Sequence, residues 1–151
     1  MKSIWYNGQV IKLGLIKTEN YLIIGLRWSI ALVFFWFGAL KVFGYNPVDY
    51  IIEGTFPMLA GDNGTLFLGI VEVVIGIGLA INLLPLITHL ALIGHLAGTM
   101  LTFVVNPGLM FQPYFPILTL EGEFVIKNIV LAMAGIVVLI HENHKKIFHL
   151  S

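Results

Sequence analysis

Four long apolar runs, centred near Ile30, Ile75, Leu96 and Leu131, constrain the fold of this 151-residue chain more than any other feature. Segments rich in Gly, Pro, Asn and acidic residues separate the runs. The chain is 58% hydrophobic and 11% charged, whereas an ordinary soluble domain has about 25% charged residues. Because so few charges cannot cover a globule of this size in water, the sequence predicts a one-domain integral membrane protein.

The runs predict an all-α fold, a bundle of four transmembrane helices. We place the spans at about residues 21–43, 65–83, 87–105 and 123–140. Each has ~18–23 residues, which is enough to cross a hydrocarbon core ~30 Å thick. Pro85 lies in the very short turn between the second and third spans, and the Asn-Pro-Gly of 106–108 ends the third. Residues 1–20 are then a cytoplasmic or interfacial lead, and residues 141–151 a cytoplasmic tail.

The distribution of lysine predicts the orientation. The lead contributes three lysines and the tail two, whereas loops 44–64 and 106–122 contain no Lys or Arg. By the positive-inside rule, both termini are expected on the cytoplasmic side of the inner membrane. The two loops are rich in aromatic residues and are expected either as interfacial or partly re-entrant segments or as an ordinary aromatic belt. No cleavable signal peptide is expected, because the first apolar run begins only near Tyr21.

Charge and composition narrow the classes of function. The formal net charge is zero, so no basic surface for nucleic acid is predicted. The chain has no cysteine, which excludes disulfides, thiolate metal sites and electron relay through thiols. The tail sequence of 141–144, His-Glu-Asn-His, is one residue short of the HExxH zinc pattern, so no metal site is predicted. His89 and His95 share the third span and therefore cannot clamp a haem from two helices.

Ionisable side chains lie inside all four predicted spans, where each is costly unless it faces protein or water. They are Arg27, Lys41, Glu72, His89, His95 and Lys127. At a rise of about 1.5 Å per residue, Arg27 and His89 are expected in a layer near the inner face of the bundle. The other four are expected in its outer half. Because lysine side chains are long, Lys41 or Lys127 is expected to reach Glu72.

Two interpretations of the outer cluster stay open. In the structural one, Glu72 pairs with a lysine to fix helix register, and His95 is a core histidine with satisfied hydrogen bonds. In the functional one, the cluster lines an outward-facing polar pocket that binds a ligand. The candidate ligand-binding residues are Lys41, Glu72, His95, Lys127, Arg27, Thr99 and Asn128. No catalytic residue is assigned.

Small residues predict where helices pack closely. Gly69 and Gly76 flank Glu72 at helical spacing, so that face of the second span is nearly free of bulk. Gly94 and Gly98 form a GxxxG pair on the third span, which is typical of a helix-packing face.

A series of spaced motifs runs from Arg27 to Ile140. It comprises Arg27-Trp28, Phe34-Phe35-Trp36-Phe37 with Gly38, Lys41 and Gly44, then Glu72 among glycines, Pro107-Gly108, Phe115-Pro116, and the segment from Gly122 to Asn128. Their order resembles the DoxX-like superfamily of four-span membrane proteins, and within it the YkgB group, which includes proteins of reactive-chlorine resistance. The sequence departs from the YkgB pattern at Glu123 and Asn128, where Arg and Asp are expected. Glu72 is left as the main counter-ion for Lys127.

The resemblance implies a role in oxidative, reactive-chlorine stress defence, and the missing cysteines and the lack of a haem pair argue against autonomous redox catalysis. The leading hypothesis is therefore an accessory inner-membrane protein. In this hypothesis the pocket binds a small amphipathic ligand, a quinone or a lipid. The lysines attract its acidic or carbonyl head group, Glu72 sets their charge, and the glycine faces admit its tail. Two other classes stay open, a quinone-linked oxidoreductase subunit and a small transporter or membrane assembly chaperone. A homo-oligomer or a membrane-protein partner is compatible with each.

Overall fold

The computed structural model describes the backbone of residues 2–148 and the side chains of residues 18–143. This part of the chain is helical and contains no β-strand beyond an isolated bridge between Phe111 and Leu118. The helices are α1 (Lys2–Val42), α2 (Asp49–Thr55), α3 (Asp62–Ala80), α4 (Pro85–Met100), α5 (Thr102–Val105), α6 (Pro107–Met110), α7 (Leu120–Ile126) and α8 (Asn128–Phe148). A 3-10 turn, Pro57–Leu59, follows α2.

Four helical stretches are long and apolar enough to cross a membrane. They are Thr18–Val42, Asp62–Ala80, Pro85–Val105 and Leu120–Asn143. They overlap the four spans expected from the sequence, which confirms an all-helical fold with four helices able to cross a membrane. The cytoplasmic location of both termini stays a prediction. Two helices extend further than expected: α1 begins at Lys2, within the lead, and α8 continues through the tail to Phe148. The side chains of residues 1–17 and of the end of the tail lie outside the described part of the chain.

Successive spans run in opposite directions, which gives the bundle two different ends. We call the end that carries residues 44–64 and 106–122 the loop end. The terminal end is the one at which the first span begins and the last span ends. Contacts between α1 and α3 illustrate the antiparallel register, because Gly38 lies beside Gly69 and Ala31 beside Gly76.

Glycines allow α1 and α3 to pack with their backbones nearly touching. A Cβ atom added to Gly38 would lie 2.7 Å from the carbonyl oxygen of Gly69, and one added to Gly76 would lie 2.7 Å from the amide nitrogen of Phe35. A real Cβ atom does not tolerate such distances, so these positions require glycine. The small face around Glu72 is therefore a close helix contact, as the sequence indicates.

The GxxxG pair of α4 has a different environment. A Cβ atom added to Gly94 or Gly98 would meet nothing within 4 Å. The core-facing residues of this helix are His89, Leu92 and Leu96 instead. Because Gly94 and Gly98 each follow a core-facing leucine by two residues, about 200° of helical rotation, they point away from the core. The expectation that they pack closely is not met within this chain.

A layer of buried apolar residues lies in the middle of the bundle. Its buried residues are Ile30, Ala31, Phe34, Ile75, Leu79, Leu92 and Leu96. Large apolar side chains also cover the outside of the bundle, including Leu32, which is 62% exposed, and Val130, which is 70% exposed. Such a surface suits a bilayer, whose hydrocarbon solvates apolar side chains, and agrees with the spans assigned above.

The two longer connections fold over the loop end and bond to each other. The Tyr50 hydroxyl donates to Glu121 Oε1 at 2.6 Å, and this hydrogen bond raises the pKa of Tyr50 above its usual value. Thr55 Oγ1 donates to Thr102 Oγ1 at 3.0 Å, joining α2 to the end of the third span. These bonds hold both connections as ordered structure beside the site described below.

The α1–α3 contact yields a test of the packing. Replacing Gly38 by Ala should lower the free energy of unfolding by about 1–3 kcal/mol, because the new methyl group meets the backbone of α3. The measurement is unfolding in mixed detergent micelles, followed by circular dichroism. Gly94→Ala is the matched control, since its methyl group meets nothing within 4 Å. Equal stability of the two variants would contradict the close contact.

Candidate functional site

Three side chains from three helices meet in the loop-end half of the bundle. Lys41 Nζ of α1 lies 2.7 Å from Glu72 Oε2 of α3, and His95 Nε2 of α4 lies 2.8 Å from Glu72 Oε1. The side chains are largely buried, with 11%, 8% and 16% exposure for Lys41, Glu72 and His95. We call these residues the ion triad. Each carboxylate oxygen of Glu72 has its own donor.

The triad balances a charge that the bundle could not otherwise hold. A lone buried carboxylate is costly, but the Lys41 ammonium neutralises it at direct contact. Since the ionised carboxylate only accepts hydrogen bonds, the proton on His95 must be at Nε2, where it donates to Glu72. The Nδ1 atom of the neutral ring is then a free acceptor.

The helix contacts that position the triad follow from the small residues beside it. A Cβ atom added to Gly69 would lie 2.7 Å from Lys41 Cβ, so the lysine stem crosses α3 where that helix has no side chain. Glu72 lies one helical turn from Gly69, within reach of the ammonium. On the other side, the edge of the Phe34 ring packs against His95, with ring centroids 5.6 Å apart. Phe34 thereby fixes the imidazole from the direction of the apolar layer.

Lys127 lies outside the triad, although the sequence places it at a similar depth. Its side chain is exposed and makes no hydrogen bond or ion pair with any residue whose side chain is described. The reason is local. Val125 is fully buried, and Lys127 follows it by two residues, about 200° around the helix, so it points the opposite way. The expectation that Lys127 pairs with Glu72 is wrong, and the counter-ion is Lys41.

The remaining candidates near the loop end have other environments. The Thr99 hydroxyl donates to the backbone oxygen of His95 at 3.1 Å, so it supports the helix that carries the histidine. Asn128 is partly buried, and within the described residues its side chain has no hydrogen-bond partner. The structure therefore brings together Lys41, Glu72 and His95 and leaves Thr99 and Asn128 outside that contact.

Arg27 lies at the terminal end, where it has a partner that the sequence interpretation missed. Its Nη1 donates to the backbone oxygen of Leu79 at 3.0 Å, and its Nε lies 3.3 Å from Glu142 Oε1. From its position in the sequence, Glu142 is expected in the cytoplasmic tail. The sequence contained a signal for this position, because Gly135, Val138 and Glu142 are spaced to lie on one face of a helix. In the structure α8 continues past residue 140, and this face points inward.

An apolar hollow lies on α1 one turn from the triad. It has a volume of about 260 Å³ and is lined by Leu32, Val33, Trp36 and Phe37. Phe37 packs edge-on against Phe124 of α7, with ring centroids 5.9 Å apart. The hollow lies on the outward face of α1, where Leu32 and Trp36 are 62% and 61% exposed. Phe37 precedes Lys41 by four residues, about one helical turn.

Comparison with known protein families, curated proteins and solved structures finds no match to this chain. The class of protein is therefore defined by the molecule itself. It is a helical protein with four helices long and apolar enough to cross a membrane, and three of those helices share a buried ionic contact.

The different environments of Lys41 and Lys127 give a matched test. Lys41→Met should lower the free energy of unfolding by about 3–5 kcal/mol, because it leaves Glu72 buried without its cation. Lys127→Met should change it by less than about 0.5 kcal/mol, since that side chain is exposed and has no partner among the described side chains. Both are measured by unfolding in mixed micelles.

The double variant Lys41→Met/Glu72→Gln separates the ion pair from the lysine stem. It should recover part of the stability that Lys41→Met loses, because no charge is then left uncompensated. A double variant as unstable as the sum of its two single variants would contradict a direct contact.

Proposed function

We propose that this chain is an accessory integral protein of the inner membrane that acts in defence against oxidative, reactive-chlorine stress. It binds a small amphipathic ligand, a quinone or a lipid, at the ion triad. The role in stress defence and the inner-membrane location rest on the resemblance to the YkgB group of the DoxX-like superfamily. The binding of an amphipathic molecule rests on the geometry of the site.

One observation carries the ligand proposal, the position of a charged site next to an apolar hollow on the same helix. Lys41 and Phe37 are one turn apart, and the hollow of Leu32, Val33, Trp36 and Phe37 continues away from the loop end. A molecule with a polar head and an apolar tail matches this order. Its head group meets the triad, and its tail lies along the hollow towards the middle of the membrane.

The donors of the triad suit an oxygen-bearing head group. The Lys41 ammonium has three hydrogens, of which one is used by Glu72 Oε2. The others are available to a carbonyl, phosphate or carboxylate oxygen. Glu72 fixes the position of the ammonium, while His95 donates to the other carboxylate oxygen. A quinone carbonyl and an anionic lipid head group both meet these requirements.

We assign the protein a binding role without autonomous catalysis. The sequence has no cysteine, and the triad has no nucleophile beyond a paired lysine. If the chain is instead a subunit of a quinone-linked oxidoreductase, a tightly bound flavin or haem would give an absorption band in the purified protein. An absorption spectrum therefore discriminates between the two functions.

The proposal is tested by Glu72→Gln with Glu123→Gln as its control. Glu123 is an exposed acid of α7, at the same end of the bundle. Mass spectrometry of the small molecules that copurify should find a quinone or lipid enriched in the wild type and in Glu123→Gln, and reduced several-fold in Glu72→Gln. Without Glu72 the lysine loses its positioning partner and the head group loses its site.

The same variants test the physiological role. Cells that carry Glu72→Gln should survive hypochlorous acid less well than cells that carry Glu123→Gln, at equal membrane abundance of the two proteins. Unchanged survival together with unchanged copurification in Glu72→Gln would contradict the proposed function.

A further inference from the structure

The terminal end contains a second group of ionisable side chains, separate from the ion triad. Three of its buried polar atoms have no hydrogen-bond partner among the described residues: Arg27 Nε, His89 Nε2 and Glu142 Oε2. The apolar layer that includes Ile30 and Leu92 separates this group from the triad. Buried polar groups in proteins are nearly always paired, with protein or with water, so three such atoms at one end of a bundle call for a partner.

His89 presents an acceptor at this place. The side chain is buried, with 1% exposure. Its Nδ1 lies 2.7 Å from the backbone oxygen of Pro85. Since a carbonyl only accepts, Nδ1 must carry the hydrogen. In the neutral ring Nε2 is then a bare acceptor.

Glu142 presents another acceptor. Its Oε1 faces Arg27 Nε at 3.3 Å, which is an ion-pair distance without hydrogen-bond geometry. Its Oε2 is buried and receives no hydrogen from the described residues. Arg27 Nη1 donates a hydrogen bond to the backbone oxygen of Leu79. The three unpartnered atoms are therefore one donor, Arg27 Nε, and two acceptors, His89 Nε2 and Glu142 Oε2.

The side chains of His89 and Glu142 converge along the bundle axis. A Cβ atom added to Gly135 would lie 2.6 Å from Leu92 Cδ2, which fixes the register of α8 against α4. From this contact, His89 lies about one turn and Glu142 about two turns towards the terminal end. Helical side chains tilt towards the N-terminus of their own helix. Because α4 and α8 are antiparallel, His89 tilts towards the terminal end and Glu142 towards the loop end, so they converge.

We propose that internal water binds between His89 and Glu142 and donates hydrogen bonds to His89 Nε2 and Glu142 Oε2. Water supplies two donors and fits two acceptors that approach from opposite sides. A metal cation is disfavoured, because the Arg27 guanidinium lies against the same carboxylate.

The water has a route to the aqueous phase at the terminal end. His141 lies beside Glu142 in the sequence, and its Nδ1 is 3.2 Å from Glu19 Oε1, a carboxylate that is 61% exposed. Its Nε2 is 3.1 Å from Asn20 Oδ1. Polar side chains of α1 and α8 therefore lead from the surface to the site. The ionisable groups of these two helices at this end are Arg27 and Glu142, with His141 and Glu19 further out.

Water-edited solid-state NMR of the full chain in lipid bilayers tests this proposal. Polarisation from water should reach the His89 imidazole several-fold faster than the methyl groups of Leu92 and Ile30, which are 0% and 2% exposed and serve as internal references. Sequential assignment identifies the His89 signals without any variant. Transfer to His89 as slow as to Leu92 would overturn the proposal. If both ring nitrogens were then protonated, the result would show a direct ion pair with Glu142 in its place.

A pair of variants tests whether Glu142 shares the water. Glu142→Met should slow the transfer to His89 several-fold, because it removes one acceptor and fills the space with a side chain that does not bind water. Glu123→Met, at an exposed position of the loop-end half, should leave the transfer unchanged. Unchanged transfer in Glu142→Met would contradict a site shared by the two side chains.

Discussion

The buried carboxylate of Glu72 is the constraint on which the rest of the bundle depends. An unpaired negative charge inside an apolar bundle would destabilise the fold, so every element around it serves to compensate it. Lys41 supplies the cation and His95 the second donor, each from a different helix. Their short contacts require α1 and α3 to approach closely, and Gly38 and Gly69 make that approach sterically allowed. Gly38 lies one turn from Lys41, and Gly69 lies one turn from Glu72. Close helix packing and charge compensation therefore occur at the same place in the bundle.

The bundle has ionisable groups near both of its ends and apolar residues between them. At the loop end, Glu72 is saturated by protein donors. At the terminal end, Glu142 and His89 have acceptor atoms that no described residue satisfies. The two groups therefore differ in chemistry, one a closed ionic contact beside an apolar hollow and the other a place suited to water. The layer around Leu92 and Phe34 prevents a continuous polar path between them.

The sequence predicted most of the fold and part of the site. Hydropathy and length locate the four spans because the bilayer fixes both, and the extreme cost of a buried charge identifies Glu72 as a residue that needs a partner. Depth along a helix follows from counting residues, but direction around it does not. For this reason Lys127, at a suitable depth, points away from the bundle, whereas Lys41 reaches the carboxylate.

Two further differences share a physical cause. The sequence predicts a helix contact at Gly94 because small residues allow close packing. A glycine allows another helix to approach but does not attract one, and the leucines of α4 form the contact instead. Glu142 was assigned to a solvated tail because the hydrophobic run stops before it. The backbone hydrogen bonds of a helix do not depend on hydropathy, so α8 continues and carries Glu142 back into the bundle, where Arg27 pairs with it.

A direct distance measurement in a bilayer tests the ion triad most directly. Rotational-echo double-resonance NMR of protein labelled with ¹⁵N at lysine side chains and ¹³C at glutamate carboxyl groups reports which ammonium contacts Glu72. We expect strong dipolar dephasing of the Glu72 carboxyl carbon that disappears in Lys41→Met and persists in Lys127→Met, as the 2.7 Å contact requires. Dephasing that is absent, or that disappears with Lys127 instead, would contradict the triad.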